Sequence, residues 1–374
     1  MEILTSSVLI NFNIVVAILV VVISQSLFTS GILWFSSQNK LSNRLLAVLL
    51  FAIALWLVDD FMRASGIYRQ HPQLYFMPLF YSLGFGPLIY FYLLSLTNHK
   101  FKLQPKYLLH FIPVMLQAGL YFFLCFTSYP FKNWYWTNIH GPYTYRLEFD
   151  GTWVSLIVYL VLSFRLLQKY QDWVVNNFSE VSRIRLQWLK IILAILLVLS
   201  VQWMIEVVLR DGANSYFDYN YSVEILGVVA LVLGVFGWRQ ANLSDISYEQ
   251  TRDETPSPAL PLFEADPLVL KQIQQVITDQ KLYLDPTLTL VQLAGAVKLN
   301  PKVVSRNINA GLNKSFNDLI NQYRVDEVKQ RLRSADVEKL TIMGIAYESG
   351  FNSKTTFNRI FKQFTGSAPS DFMN

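Results

Sequence analysis

The sequence predicts an all-α protein: a multi-pass transmembrane helical bundle followed by a soluble domain with two helix-turn-helix units. Three observations lead there. Of the 374 residues, 53% are apolar and only 15% charged, with a mean hydropathy of +0.31, whereas soluble domains carry about 25% charged residues. All nine tryptophans, and 36 of the 47 phenylalanines and tyrosines, precede residue 241. Beyond that point the chain turns polar and repeats one helical pattern twice, 52 residues apart.

Crossing the hydrocarbon core takes roughly 20 mostly apolar residues per helix. Seven windows meet that need: 11–35, 45–62, 75–97, 107–127, 152–168, 188–209 and 221–238. The second and fifth are short and draw on flanking residues. The first reads as an anchor and not as a cleavable leader, because Glu2 is the only charge before it and a basic n-region is missing.

Lysine and arginine in the loops set the orientation. With the N-terminus outside, the inner segments carry eleven of them, among them Lys40, Arg44, Lys100, Lys169 and Arg185, and the outer segments five. An odd number of crossings then places everything after Trp238 in the cytoplasm. Trp134, Trp136 and Trp153 surround the longest outer loop, as an interfacial aromatic belt does. The expected location is therefore the cytoplasmic (inner) membrane.

Four acidic residues stand out in residues 1–240, the membrane domain. Asp59 and Asp60 lie near the outer end of the second window, Glu206 inside the sixth, and Glu224 at the start of the seventh. Exposing such a charge to lipid costs at least about 2.5 kcal/mol, so each is a candidate polar site. For Asp59, Asp60 and Glu224 the plainer role is a seat at the membrane interface; for Glu206 the alternatives are a ligand contact and a helix-pairing contact. The seventh window has no lysine, which excludes a retinal Schiff base there. The single Cys125 rules out a disulfide framework, and His71, His99, His110 and His140 lack zinc-site spacing, so no metal and no cofactor are expected.

Residues 241–267 form an acidic linker: Asp245, Glu249, Asp253, Glu254, Glu264 and Asp266 oppose Arg252 alone, and Pro256, Pro258 and Pro261 interrupt helix. Residues 268–374 are long enough for their own core. Here Leu288-Thr289-Leu290 matches Leu340-Thr341-Ile342, Leu293-Ala294 matches Ile345-Ala346, and Lys302 matches Lys354. A short helix begins near each threonine, with a capping box available to Thr289 and Gln292. Ala294 and Ala346 are small where paired helices must approach. Asn300-Pro301 opens the second helix of the first pair, and residues 315–334 read as a longer helix joining the two units.

Each second helix has two faces. In the first, Val304 and Ile308 point inward while Lys302, Ser305, Arg306 and Asn309 share another side. In the second, Phe357, Ile360 and Phe361 are core, and Lys354, Thr355, Asn358 and Arg359 point away. Arginine can bind guanine in bidentate fashion and asparagine can do the same for adenine. From Lys271 onward 14 lysines and arginines oppose 9 acids, a field suited to a polyanion.

These residues resemble the AraC/XylS-type DNA-binding domain of bacterial transcription regulators. The resemblance runs from Leu288 to Asn374, about a quarter of the chain. It is carried by Ser305-Arg306, by Phe316 through Arg324-Val-Asp-Glu, by Ile345-Ala-Tyr, by Ser349-Gly-Phe-Asn-Ser-Lys354 and by Phe357-Asn-Arg-Ile-Phe-Lys362. It departs where Val303-Val304 replaces an aromatic–leucine pair and where Asn313 replaces a glycine. The resemblance implies two helix-turn-helix units joined by a long helix, with both recognition helices entering successive major-groove segments. It marks Lys302, Ser305 and Arg306 as one contact set, and Lys354, Thr355, Asn358 and Arg359 as the other.

The expectation is a membrane-anchored transcription regulator, not an enzyme. Its expected partners are double-stranded operator DNA, the lipid bilayer, RNA polymerase, a second copy in a homodimer, and an unnamed ligand or membrane partner. The alternatives are release of the DNA-binding domain by proteolysis in the linker, and a membrane enzyme or transporter using Glu206, Asp59 and Asp60 with the DNA-binding domain as its reporter. No nucleophile–base spacing supports the last.

Overall fold

A helix that is apolar on every side must be buried or face lipid, and most of the first half of this chain is built from such helices. The computed structural model describes residues 11–182, 184–213, 222–240, 248, 264–334 and 339–372, and among these the fold is all-α, without strands. The chain divides into two compact units: Met1–Leu167 with Gln187–Glu249, and Gln168–Leu186 with Gln250–Asn374.

The first unit contains α1 (Ile14–Phe35), α2 (Lys40–Ala64), α3 (Ile67–Gln70), α4 (Phe85–Thr97), α5 (Ile112–Cys125), α6 (Tyr129–Tyr135), most of α7 (Tyr145–Asn177), α8 (Gln187–Ala213) and α9 (Ser222–Arg239). Asn13 caps α1 by accepting a hydrogen bond from the Val16 amide at 2.9 Å. Five helical stretches are long and apolar enough to cross a membrane: Ile14–Phe35, Lys40–Ala64, Pro105–Cys125, Tyr129–Asn177 and Gln187–Ile205. Ser82–Thr97 and Ile225–Arg239 are apolar but shorter. The third window differs from its expected extent of 75–97 because Pro78 lacks an amide and Phe76 holds a left-handed backbone (φ 61°), so regular structure starts only at Ser82.

Several apolar side chains point outward from these helices, including Leu116 (71% exposed) and Val198 (68%). Where helices meet, small residues let them close. A Cβ on Gly227 would come within 2.6 Å of Val22 and one on Gly234 within 2.6 Å of Thr29, so α9 rests directly on α1. The Ser30 hydroxyl ties α1 to α2 by donating to the Ala47 carbonyl at 2.8 Å.

The second unit holds α10 (Pro267–Asp279), α11 (Leu290–Val297), α12 (Pro301–Leu312), α13 (Phe316–Leu332), α14 (Ile342–Glu348) and α15 (Lys354–Thr365), together with the end of α7 and the turn after it. Local sequence chemistry sets the boundaries. Thr289 and Gln292 form the capping box, Asn300 accepts from the Lys302 amide ahead of Pro301, and Ser315, Thr341 and Ser353 cap α13, α14 and α15. Asn313 ends α12 at φ 50°, a left-handed position that asparagine adopts more readily than most residues. Most of the expected 241–267 linker lies outside the described residues; Asp266 is the N-cap of α10.

Two separate cores fill this unit. Ile273, Leu293, Ala294, Val304 and Ile308 close the first with Phe316, Leu319 and Ile320 from the start of α13. Ile345, Ala346, Phe357, Ile360 and Phe361 close the second with Val325, Val328 and Leu332 from its end. One helix therefore serves both cores, and Arg324 stands where it passes from one to the other.

Candidate nucleic-acid interface and a cavity in the first unit

The polar face of α12 follows from what its other face must bury. Val304, Asn307 and Ile308 are fully inside, which turns Lys302, Arg306 and Asn309 to solvent and leaves Ser305 half-buried. On α15, burial of Thr356, Phe357, Ile360 and Phe361 likewise exposes Lys354, Thr355, Asn358 and Arg359. All eight expected contact residues thus lie on the second helices of the two pairs. Each face combines lysine and arginine with asparagine, the donors and acceptors that base edges and phosphates require. Val303, 39% exposed beside Lys302, adds an apolar side chain to the exposed side of α12.

Polar contacts tie the helices of this unit to one another. Asn307 accepts from the Asp266 amide at 2.8 Å and donates to the Val303 carbonyl at 2.9 Å, fastening the start of α10 to α12. Arg331 reaches Glu348 at 2.5 Å between α13 and α14.

Sequence reading missed the centre of this unit. Arg324 is 1% exposed and donates to the carbonyls of Tyr283 (2.8 Å), Asp285 (2.7 Å) and Ser179 (3.3 Å), and to the Ser179 hydroxyl (3.1 Å). Burial pulls its guanidinium down to about 10, against the opposing pull of Glu180 and Asp285, so it remains charged at neutral pH. Asn317 donates to the carbonyls of Phe178 (3.2 Å) and Ser179 (2.8 Å), while Ser179 donates its amide to the Leu288 carbonyl at 3.1 Å. The turn after α7 is thereby seated against both the approach to α11 and the start of α13. Gly350, at φ +91°, leaves room beside Arg324: a Cβ there would collide with the Tyr283 carbonyl. Nearby, burial and a hydrogen bond to Glu327 (2.9 Å) raise the Tyr283 hydroxyl to about 12.

In the first unit, the structure brings Asp59 and Asp60 to the wall of one cavity of about 540 Å³. Asp59 is buried and accepts from the Tyr68 hydroxyl and from Arg63 at 2.9 Å. Glu148, not anticipated from sequence, also lines the cavity and accepts from Tyr121 at 2.9 Å and Gln117 at 3.4 Å. Buried His140 lies on a π-helical stretch (Trp136–Thr144) interrupted by Pro142, with its ring 5.2 Å from that of Phe76. The side chains of Glu206 and Glu224 lie outside the described residues. Among the described residues, no three His, Cys, Asp or Glu side chains are grouped to hold a metal ion.

Residues 293–374 match the family model of a helix-turn-helix domain. This match, of the AraC type, supports a DNA-binding transcriptional regulator. No curated protein and no solved structure gives a significant match to the chain.

Proposed function

We propose that the chain is a membrane-anchored, sequence-specific DNA-binding transcription regulator whose membrane half senses a ligand. In this reading residues 1–240 form the membrane domain with the N-terminus outside, residues 241–267 the linker, and residues 268–374 the operator-binding domain in the cytoplasm. The observation that carries it is the pair of exposed, basic, asparagine-bearing faces on α12 and α15, in a domain of matching family, on a chain whose first unit turns apolar side chains outward.

The mechanism is a population shift. Ligand binding in the membrane half favours one arrangement of the helices, and α7 carries the change to the turn at Phe178–Ser179. That turn is hydrogen-bonded to Asn317 and Arg324 of α13, the helix that both cores share. Pairing of two copies adds effective concentration at adjacent sites, and contact with RNA polymerase converts occupancy into transcription.

The test uses the full chain in detergent and a DNA fragment that it selects from a random pool. Arg306→Ala or Arg359→Ala alone weakens binding of that fragment by about 1–3 kcal/mol. Gel-shift titrations at fixed salt measure the loss, and affinity unchanged in both variants contradicts the assignment of these contacts.

A further inference from the structure

The DNA-binding unit contains a piece that residues 268–374 do not supply, and reading that piece rests on the DNA-binding role proposed above. Residues 168–186, which close α7 and return from it, belong to the same compact unit as residues 250–374. The Ser179 amide donates to the Leu288 carbonyl, and Phe178 forms an antiparallel bridge with Thr289, the N-cap of α11. From α13, Asn317 donates to the Phe178 and Ser179 carbonyls, and Arg324 to the Ser179 carbonyl and hydroxyl. Ser179 and Val181 are buried. One short segment thus joins the approach to α11 to the start of α13.

Both sides are shaped for this contact. Tyr170 donates to the Ile184 carbonyl at 2.8 Å and Gln171 to the Arg185 carbonyl at 2.9 Å, which fixes the returning chain to the end of α7 without help from residues 268–374. On the other side, Arg324 and Asn317 are buried donors, and a buried donor without an acceptor is costly. Tyr283 and Asp285 satisfy Arg324 only in part; the carbonyl and hydroxyl of Ser179 come from the turn. The lysine and arginine count expects this turn on the same side of the membrane as everything after Trp238, as the contact requires. With the turn in place Arg306, Asn309, Asn358 and Arg359 are exposed, so it leaves the DNA-reading faces open.

We propose that the Phe178–Ser179 turn is a strap that completes the DNA-binding unit. Docked, it holds α13 so that both recognition helices reach one DNA together, and it keeps the domain on α7 even when the linker is severed. Undocked, Arg324 and Asn317 lose buried acceptors on the helix that both cores share, the two helix-turn-helix units lose their common frame, and operator affinity falls. Cleavage in the linker alone therefore does not free an active factor; departure of the strap is the regulated step.

The test uses the full chain in detergent with a protease recognition sequence inserted between Ser257 and Pro258. After complete cleavage, the C-terminal fragment is expected to elute with the membrane fragment in size-exclusion chromatography and to bind the selected DNA fragment as the uncut chain does. Ser179→Pro removes the amide that meets Leu288, and Asn317→Leu removes both donations to the turn. Each is expected to let the cut fragment elute alone, and to weaken DNA binding by the uncut chain at least about tenfold through loss of joint engagement. If neither variant folds, the elution of the cut, unaltered chain still decides.

The proposal is overturned if the cut fragment of the unaltered chain elutes alone. It is also overturned if both folded variants retain the cut fragment, or if both bind DNA as tightly as the unaltered chain. Co-elution needs no DNA, so a fragment that stays with the membrane half on an unaltered chain that selects no DNA marks failure of the DNA-binding reading instead. Arg306→Ala should lose DNA while its cut fragment still co-elutes.

Discussion

Replacing Arg324 by methionine is expected to loosen the DNA-binding unit by about 2–4 kcal/mol. The carbonyls of Tyr283, Asp285 and Ser179 would each lose a buried donor, and an orphaned buried acceptor costs about 1–3 kcal/mol. The full sum is not reached, because methionine also relieves the guanidinium of the desolvation that pulls its pKa down. The loss concentrates at α13, where the two cores meet, so hydrogen exchange of the α13 amides in the full chain is the direct readout. Exchange roughly 30- to 1,000-fold faster is expected where these amides open through local unfolding. Arg324→Lys should recover only part of this protection, because an ammonium cannot reproduce the planar fork that reaches Tyr283 and Asp285 together. Unchanged protection in Arg324→Met would show that these hydrogen bonds contribute no net stability.

The double substitution Arg306→Ala with Arg359→Ala is expected to remove about 2–6 kcal/mol of affinity for the selected DNA fragment. The two arginines stand on different helices, packed into different cores, so their effects should add. Both are exposed, and the variant should therefore keep its helix content and thermal unfolding. Specific binding exceeds non-specific binding by about 4–10 kcal/mol, so a loss of this size brings the chain close to the non-specific level. A double variant as weak as one single variant, with the other single variant unaffected, would mean that only one of the two units reads bases.

Much of the second unit was legible because its boundaries rest on local rules. The capping box at Thr289 and Gln292, the Asn300-Pro301 start and the inward pairs Val304/Ile308 and Phe357/Phe361 need only neighbours three or four residues away. Arg324 was not legible for the opposite reason: apart from Asn321, its partners are 39 to 145 residues distant in the chain, and an arginine amid polar residues of a helix reads as surface. Ser179 carried no signal either, since the turn after α7 reads as an ordinary loop. In the first unit, hydropathy located the apolar windows but overextended the third, where Pro78 and the left-handed backbone at Phe76 outweigh apolar composition. The acidic pair Asp59-Asp60 stood out as charge in an apolar stretch. Glu148 did not, because it lies beside Arg146 and Asp150 in a segment that looks polar, and only folding turns it inward to Tyr121.

The most direct test of a membrane-embedded regulator is chromatin capture from washed membranes of cells expressing the intact, tagged chain. After crosslinking, the unaltered protein should retrieve a small, reproducible set of promoter fragments sharing one sequence element, and the Arg306→Ala/Arg359→Ala chain should lose them while remaining in the membrane fraction. Equal recovery of DNA by both chains, or recovery only from a soluble fragment of the protein, would contradict the account.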